Sequence, residues 1–393
     1  MEPITTAAGK EPPVPYWRLS SFYFWYFALL GVLSPYWALY FQSEGFSAEQ
    51  IGLLLGTMMG TKVVAPNLWA WLSEQSGKPL RILRLGVFLA LLCFSVMLWP
   101  LSFTLALLVI IGYSFFVNAI LPQLEAITLH FLSDKPQRYS QIRLWGSVGF
   151  LIAVVVVGYW FESQPLKTLP VIACFMLGVA WLCSLFIPAI SDQHKSRARL
   201  PFASLIRQRG IIAFLISGLL MQVAHGSYYS FFSIHLSEVG YSNHAIGWMW
   251  ALGVIAEVLI FTVIHRWLPR YGVKELMLTS LILAAIRWWV IGWHADSWFW
   301  LCAAQLLHAF TFGVFHSACI EGLRQFFGSE RQARGQALYV AFCYGVGGAS
   351  GSWVAGFLWA EHGAHSVFGV ATVVSLVAVF VVALWYPGTK KAT

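Results

Sequence analysis

The chain has 393 residues, 59% of them hydrophobic and only 10% charged, with a mean hydropathy of +0.71. So few charges would not cover the surface of a water-soluble protein of this size. The net charge of +8 is scattered over many short turns rather than gathered into a basic face, which leaves no case for nucleic acid as a partner.

The first sixteen residues hold no apolar run, so no cleavable signal peptide is expected and the first span serves as the insertion signal. From there the apolar runs predict twelve helices of membrane length: 18–41, 50–73, 82–100, 103–130, 139–162, 168–188, 210–236, 246–268, 275–294, 298–322, 335–360 and 364–386. The runs are continuous rather than alternating. That favours helices over a barrel, because backbone groups find no water partner in lipid. The tails and even-numbered turns carry Lys10, Lys78, Arg81, Lys135, Arg138, Arg207, Arg270, Lys274, Arg331 and Lys390 among others, whereas the odd-numbered turns carry only Lys167. This asymmetry places both termini in the cytoplasm. All six cysteines fall in apolar spans and read as packing residues. No spacing fits a metal site, and the Gly345–Ser352 run, inside a span and with no lysine after it, reads as close helix packing rather than a phosphate loop. No cofactor is expected.

One polar, basic stretch at 191–209 separates a first half, 1–190, from a second, 210–393. The halves resemble each other. Gly45-Phe46-Ser47 with Ile51-Gly52 recurs 195 residues on as Gly240-Tyr241-Ser242 with Ile246-Gly247, and Gly31 recurs as Gly226 at the same offset. Glu125 recurs as Glu321 one residue later. Parallel halves with a site between them at the membrane midplane are a common transporter design.

Three basic and three acidic residues stand inside membrane-length segments: Lys62, Arg143 and Arg287 against Glu125, Glu257 and Glu321. Each charge costs roughly 2.5–3.5 kcal/mol to insert, so six of them point to a wet, polar pathway through the bundle. Counting from the turns at about 1.5 Å per residue estimates depth. Glu125 and Arg143 lie at equal distance from the turn at Asp134 and can pair; Glu257 and Arg287 are level in the second half. The bland reading of each pair is a structural bridge between two helices. Lys62 falls near mid-depth with no acid level with it in its own half, so it would draw an anionic ligand, or else pair with Glu257 or Glu321 across the halves. His225 and His308 read as packing histidines. Tyr23, Tyr26, Tyr228, Tyr229, Trp288 and Tyr344 are interior aromatics that could stack on a ring, although core bulk is the commoner role.

Two segments carry a family resemblance. Ala70-Trp71-Leu72-Ser73-Glu74-Gln75-Ser76-Gly77-Lys78 resembles the major facilitator signature, with Gln75 and Pro79 at positions where that signature has basic residues. Arg143-Leu144-Trp145-Gly146-Ser147, with the Ile51–Gly56 run leading to Lys62, resembles the phenylpropionate-permease branch, which is similar to lactose permease. The resemblance implies an all-α membrane protein of twelve transmembrane helices in two pseudo-symmetric six-helix halves. It implies a monomeric, proton-coupled symporter of the bacterial inner membrane that imports a small organic substrate by alternating access. An aromatic monocarboxylate such as 3-phenylpropionate is the expected substrate; an oligosaccharide or nucleoside is the alternative, and a membrane-embedded enzyme a remote one. By the same resemblance Lys62, Glu125, Arg143 and Trp145 would bind substrate, and Glu257, Arg287, His316 and Glu321 would handle the proton, with Glu321 the foremost carrier.

Overall fold

The computed structural model describes residues 14–132, 138–189 and 207–387. Most of the expected 191–209 linker, the turn at Asp134 and both tails lie outside the described residues. The described residues form helices and no strand. Ten continuous helices are long and apolar enough to cross a membrane. The first six are α1 (Tyr16–Ser43), α2 (Ala48–Ser76), α3 (Pro79–Leu98), α4 (Phe103–Leu132), α5 (Tyr139–Ser163) and α6 (Leu166–Leu185), and α7 follows as Arg209–Val239.

Two of the remaining helices, Asn243–Trp293 and Arg331–Trp385, run 51 and 55 residues. At about 1.5 Å per residue each would exceed twice the roughly 30 Å hydrocarbon thickness. Each is interrupted by a glycine outside helical conformation, Gly272 (φ 79°, ψ 167°) and Gly363 (φ 70°, ψ −163°). Divided there, the first gives α8 (243–271) and α9 (273–293). Next come α10 (Trp298–Gly328) and then α11 (331–362) and α12 (364–385).

The internal repeat appears in the backbone. Gly45 and Gly240 end α1 and α7 with φ of 84° and 105°, and Gly77 and Gly272 end α2 and α8 with φ of 61° and 79°. Both pairs are 195 residues apart, at positions where a side chain would be strained. Ser47 starts α2 with a capping box: its hydroxyl accepts from the Gln50 N–H at 3.3 Å, and Gln50 Oε1 accepts from the Ser47 N–H at 3.0 Å. Gly31 lets α1 approach α5, where a Cβ would sit 2.6 Å from the Phe150 carbonyl oxygen. Gly226 does the same for α7 and α11, 2.5 Å from the Ser352 nitrogen. Arg84 at the start of α3 donates to the carbonyls of Ser184, Leu185 and Ile187 at the end of α6, and Lys274 at the start of α9 donates to those of Ala383 and Tyr386 at the end of α12. Both put a cation on the negative end of a helix.

The halves meet along α2 with α11 and α5 with α8. Among the described residues, the hydrogen bonds between them lie on the side away from the termini. Tyr36 Oη donates to the Asn243 carbonyl at 3.2 Å, Asn243 Nδ2 to the Phe161 carbonyl at 3.0 Å, and the His244 N–H to Glu162 Oε1 at 2.9 Å. Gly52 brings α2 against Gly356 on the same side. Towards the termini Val63 and Val64 of α2 are exposed.

Candidate functional site

The site begins with a break in α2. Pro66 has no N–H to give to the carbonyl four residues back, which belongs to Lys62. The helix tightens to a three-residue 3-10 turn at Thr61–Val63. Asn118 of α4 pins that turn, donating to the Met58 carbonyl at 2.9 Å and to Thr61 Oγ1 at 2.8 Å. Lys62 is thereby turned towards α11. Its ammonium lies 3.2 Å from Met59 Sδ and 6.0 Å from the centre of the Tyr344 ring. No carboxylate stands within ion-pair distance of it among the described residues. A cleft of about 720 Å³, walled by Thr57, Gly60, Val63, Val64, Gly345 and Ala349, flanks this turn on the α2–α11 seam, but Lys62 itself is not in its wall.

In the first half Glu125 of α4 accepts the Tyr139 hydroxyl at 2.9 Å. Tyr23 of α1 lies beside this pair, its hydroxyl 3.4 Å from that of Thr128. Arg143 is not in ion-pair contact with Glu125; its guanidinium stacks on Phe27 at 3.8 Å from the ring centre. The expected pair is therefore two neighbours whose charges act on one another without touching. Equal depth was the basis for expecting the contact. The phenol of Tyr139, one helical turn before Arg143 on α5, takes the place instead. Trp145 lies outside this cluster, with Nε1 donating to Tyr16 Oη at 3.0 Å and its ring 5.5 Å from that of Trp17.

In the second half Glu257 of α8 faces α10 rather than α9. Its Oε2 lies 3.5 Å from His308 Nε2, and the charges of His316 and, across the seam, Arg143 act on it. Arg287 does not meet it. Arg287 is 0% exposed, with Nη1 donating to Thr311 Oγ1 at 3.0 Å and Nη2 to Gln305 Oε1 at 3.4 Å. Its guanidinium lies 4.4 Å from the Tyr228 ring centre and 4.7 Å from that of Trp288. Aromatic faces and neutral acceptors replace the expected carboxylate, so the Glu257–Arg287 bridge is not formed. Glu321 lies apart from both. Its carboxylate takes Arg324 Nε at 2.8 Å and Nη2 at 2.6 Å and Gln325 Nε2 at 2.9 Å, all within one turn of α10, with Arg324 61% exposed. A partner three residues along the same helix outcompetes one across the bundle, because no second backbone has to be positioned.

His316 closes the constellation. Its ring lies parallel to that of Phe312 at 6.0 Å, and its Nδ1 is 3.3 Å from Tyr344 Oη. Both residues belong to irregular stretches: a π-helical segment, Ala309–Val314, precedes His316, and another, Val340–Gly347, carries Tyr344. Such π turns are frequent at functional sites. Lys62, Tyr344, His316, Glu257 and His308 thus form one chain of neighbours crossing from the first half into the second. Tyr139, Gln305, Thr311 and Phe312 were not singled out from the sequence. Only Tyr139 carried a usable signal, a phenol four residues before Arg143 on one helix face.

A duplicated all-helical membrane bundle, closed on one side and with charged groups of both halves at its seam, defines a secondary transporter of the major facilitator type. The "MFS_1 like family" matches residues 16–370, and the chain belongs to it, in the phenylpropionate-permease-like branch of the major facilitator superfamily. It is a multi-pass membrane transporter of a small molecule, not an enzyme. It is 33% identical over 371 residues to the "Probable 3-phenylpropionic acid transporter" of Escherichia coli K12, across 91% of this chain and 94% of that protein. It is 25% identical over 380 residues to the maltose permease of Geobacillus stearothermophilus, across 92% and 93%. The nucleoside transporter NupG shares the fold at TM-score 0.82 and 19% identity, across 95% of this chain and 99% of that one. A bacterial homologue of the human lysosomal transporter Spinster, inward-facing and unoccupied, does so at 0.77 and 14%, across 96% and 98%.

Proposed function

We propose that the chain is a proton-coupled symporter importing a small aromatic monocarboxylate, such as 3-phenylpropionate, by alternating access. It works as a monomer in the bacterial inner membrane, with both termini in the cytoplasm and the halves 1–190 and 210–393 rocking about the site between them. The observation that carries this reading is Lys62: a cation inside the bundle with a thioether and a phenol ring for neighbours and, among the described residues, no carboxylate in ion-pair reach. A substrate carboxylate would supply the missing charge, and Tyr344, Phe312 and Phe27 offer faces for an aromatic body. The relative named for 3-phenylpropionic acid points to the same chemistry. Arg143 is the second cation on this side of the seam, and Glu257 with His316 is the group that loads the proton. The driving force is the proton gradient, about 2.3 kcal/mol per charge per 100 mV with the pH difference added.

Uptake of labelled 3-phenylpropionate into energised vesicles tests the reading. A protonophore should collapse accumulation; accumulation that survives it rejects symport. Lys62→Gln should weaken 3-phenylpropionate binding by about tenfold or more, as expected for a charge-assisted bond, and leave binding of the neutral 3-phenylpropanol nearly unchanged. Equal losses for both ligands would make Lys62 structural.

A further inference from the structure

We propose that Tyr344 is the positioning residue that couples substrate at Lys62 to protonation at His316. This deepens the reading above and rests on it. The first ground is geometric. Tyr344 faces both groups at once, its ring towards the Lys62 ammonium at 6.0 Å and its hydroxyl towards His316 Nδ1 at 3.3 Å. It does so from the α11 segment that forms the seam with α2, so it lies where the two halves move past each other.

The second ground is the backbone. Three departures from regular helix meet at this point: the 3-10 turn under Lys62, the π segment before His316 and the π segment holding Tyr344. A π turn re-aims the side chains that follow it, and each here aims a polar group at the same spot.

The hydroxyl gives the coupling a direction. With a neutral His316 whose Nδ1 is unprotonated, the Tyr344 hydroxyl donates to it. When His316 gains a proton on Nδ1, that nitrogen becomes the donor and Tyr344 Oη the acceptor. The phenol keeps its own hydrogen throughout, which must now turn to another acceptor. A substrate carboxylate beside Lys62 is such an acceptor. Protonation of His316 thus adds a donor, as well as a positive charge, to the substrate's side of the seam. By linkage, bound substrate must favour the same protonation to the same degree. The ionisable groups around this pair are Glu257 from α8, Arg143 from α5 acting on Glu257, Lys62 from α2, Tyr229 from α7, His308 and Cys319 from α10, and Tyr339 and Cys343 from α11 itself. Glu257, close to both histidines, is the group with which His316 exchanges its proton.

The test uses purified full-length protein with 3-phenylpropionate as the probe. Its dissociation constant is measured on either side of the histidine range, at about pH 5.5 and about pH 8, and counterflow exchange and gradient-driven accumulation are measured in proteoliposomes. The wild type should bind about tenfold more tightly in acid, within the usual range of coupling. Tyr344→Phe, which keeps the ring, should cut that ratio to about threefold or less. Accumulation should fall at least about fivefold, and by more than either affinity at the higher pH or exchange falls. His316→Gln should flatten the pH dependence likewise, which covers the case of a Tyr344 variant that fails to fold. A Tyr344→Phe protein with the wild-type ratio and wild-type accumulation overturns the proposal, as does a His316→Gln protein that stays pH-dependent. If Tyr344→Phe loses binding equally at both pH values, Tyr344 is a substrate ligand and not a coupler. A wild type that binds the probe with no pH dependence overturns both the coupling and the symport reading, whereas a protonophore-sensitive wild type beside an unaffected Tyr344→Phe sinks only the former.

Discussion

The two halves share a backbone plan and differ in their chemistry. In the first, the half-buried carboxylate of Glu125 is satisfied by the hydroxyl of Tyr139, and the two cations, Lys62 and Arg143, are left facing an aromatic ring each. In the second, the cation Arg287 is sealed between Tyr228 and Trp288, and the carboxylate of Glu257 is left among histidines. One half therefore presents fixed positive charge to the seam and the other presents titratable groups. Duplication kept what the backbone cannot do without, the glycines at turns and close crossings. It left the polar positions free to diverge, because none of them sets a turn or the close crossing of two helices.

The largest effect should come from testing that division directly. Glu257→Gln should lower gradient-driven accumulation about 100-fold while exchange continues, as the proposed function requires of a proton carrier that makes no substrate contact. Glu125→Gln should retain accumulation and raise the substrate KM by about tenfold at most, because its partner is a neutral phenol. If Glu125→Gln is the variant that stops proton-driven uptake, the assignment of roles to the halves is reversed. A smaller, symmetric effect is expected at the shared frame. Gly31→Val and Gly226→Val each force a side chain against a neighbouring backbone, and each should cost about 1–3 kcal/mol of stability, read as a lower thermal midpoint in detergent. Tolerance in one half and collapse in the other would show that the two crossings are not equivalent. The smallest effect belongs to Glu321→Gln. Its bridge to Arg324 is partly exposed and lies within one helix, so uptake should change by less than about twofold. Loss of accumulation there would restore Glu321 as the proton carrier expected from the sequence.

How the site relates to the sequence is clearest at Lys62 and Arg287. Lys62 was legible as a cation without a level acid in its own half, and the break at Pro66 that aims it is written in the chain. Arg287 was legible as a buried charge, but its partners were not. Tyr228, Gln305 and Thr311 lie on two other helices, and nothing in their spacing announces that they converge. Glu321 had a partner in plain sight, Arg324 three residues on, and counting depth from the turns passed over it.

Taken alone, the sequence determined which segments must leave water, where they must turn, and that the bundle was made twice; hydropathy and glycine are local demands that no distant residue can waive. It also determined that ions of both signs would lie inside. Only the tertiary structure decided which of them meet. Each residue turns a helix by about 100°, so groups at one depth can face one another or face apart. The 3-10 and π turns that bring Lys62, Tyr344 and His316 together depend on how α2, α10 and α11 pack across the seam.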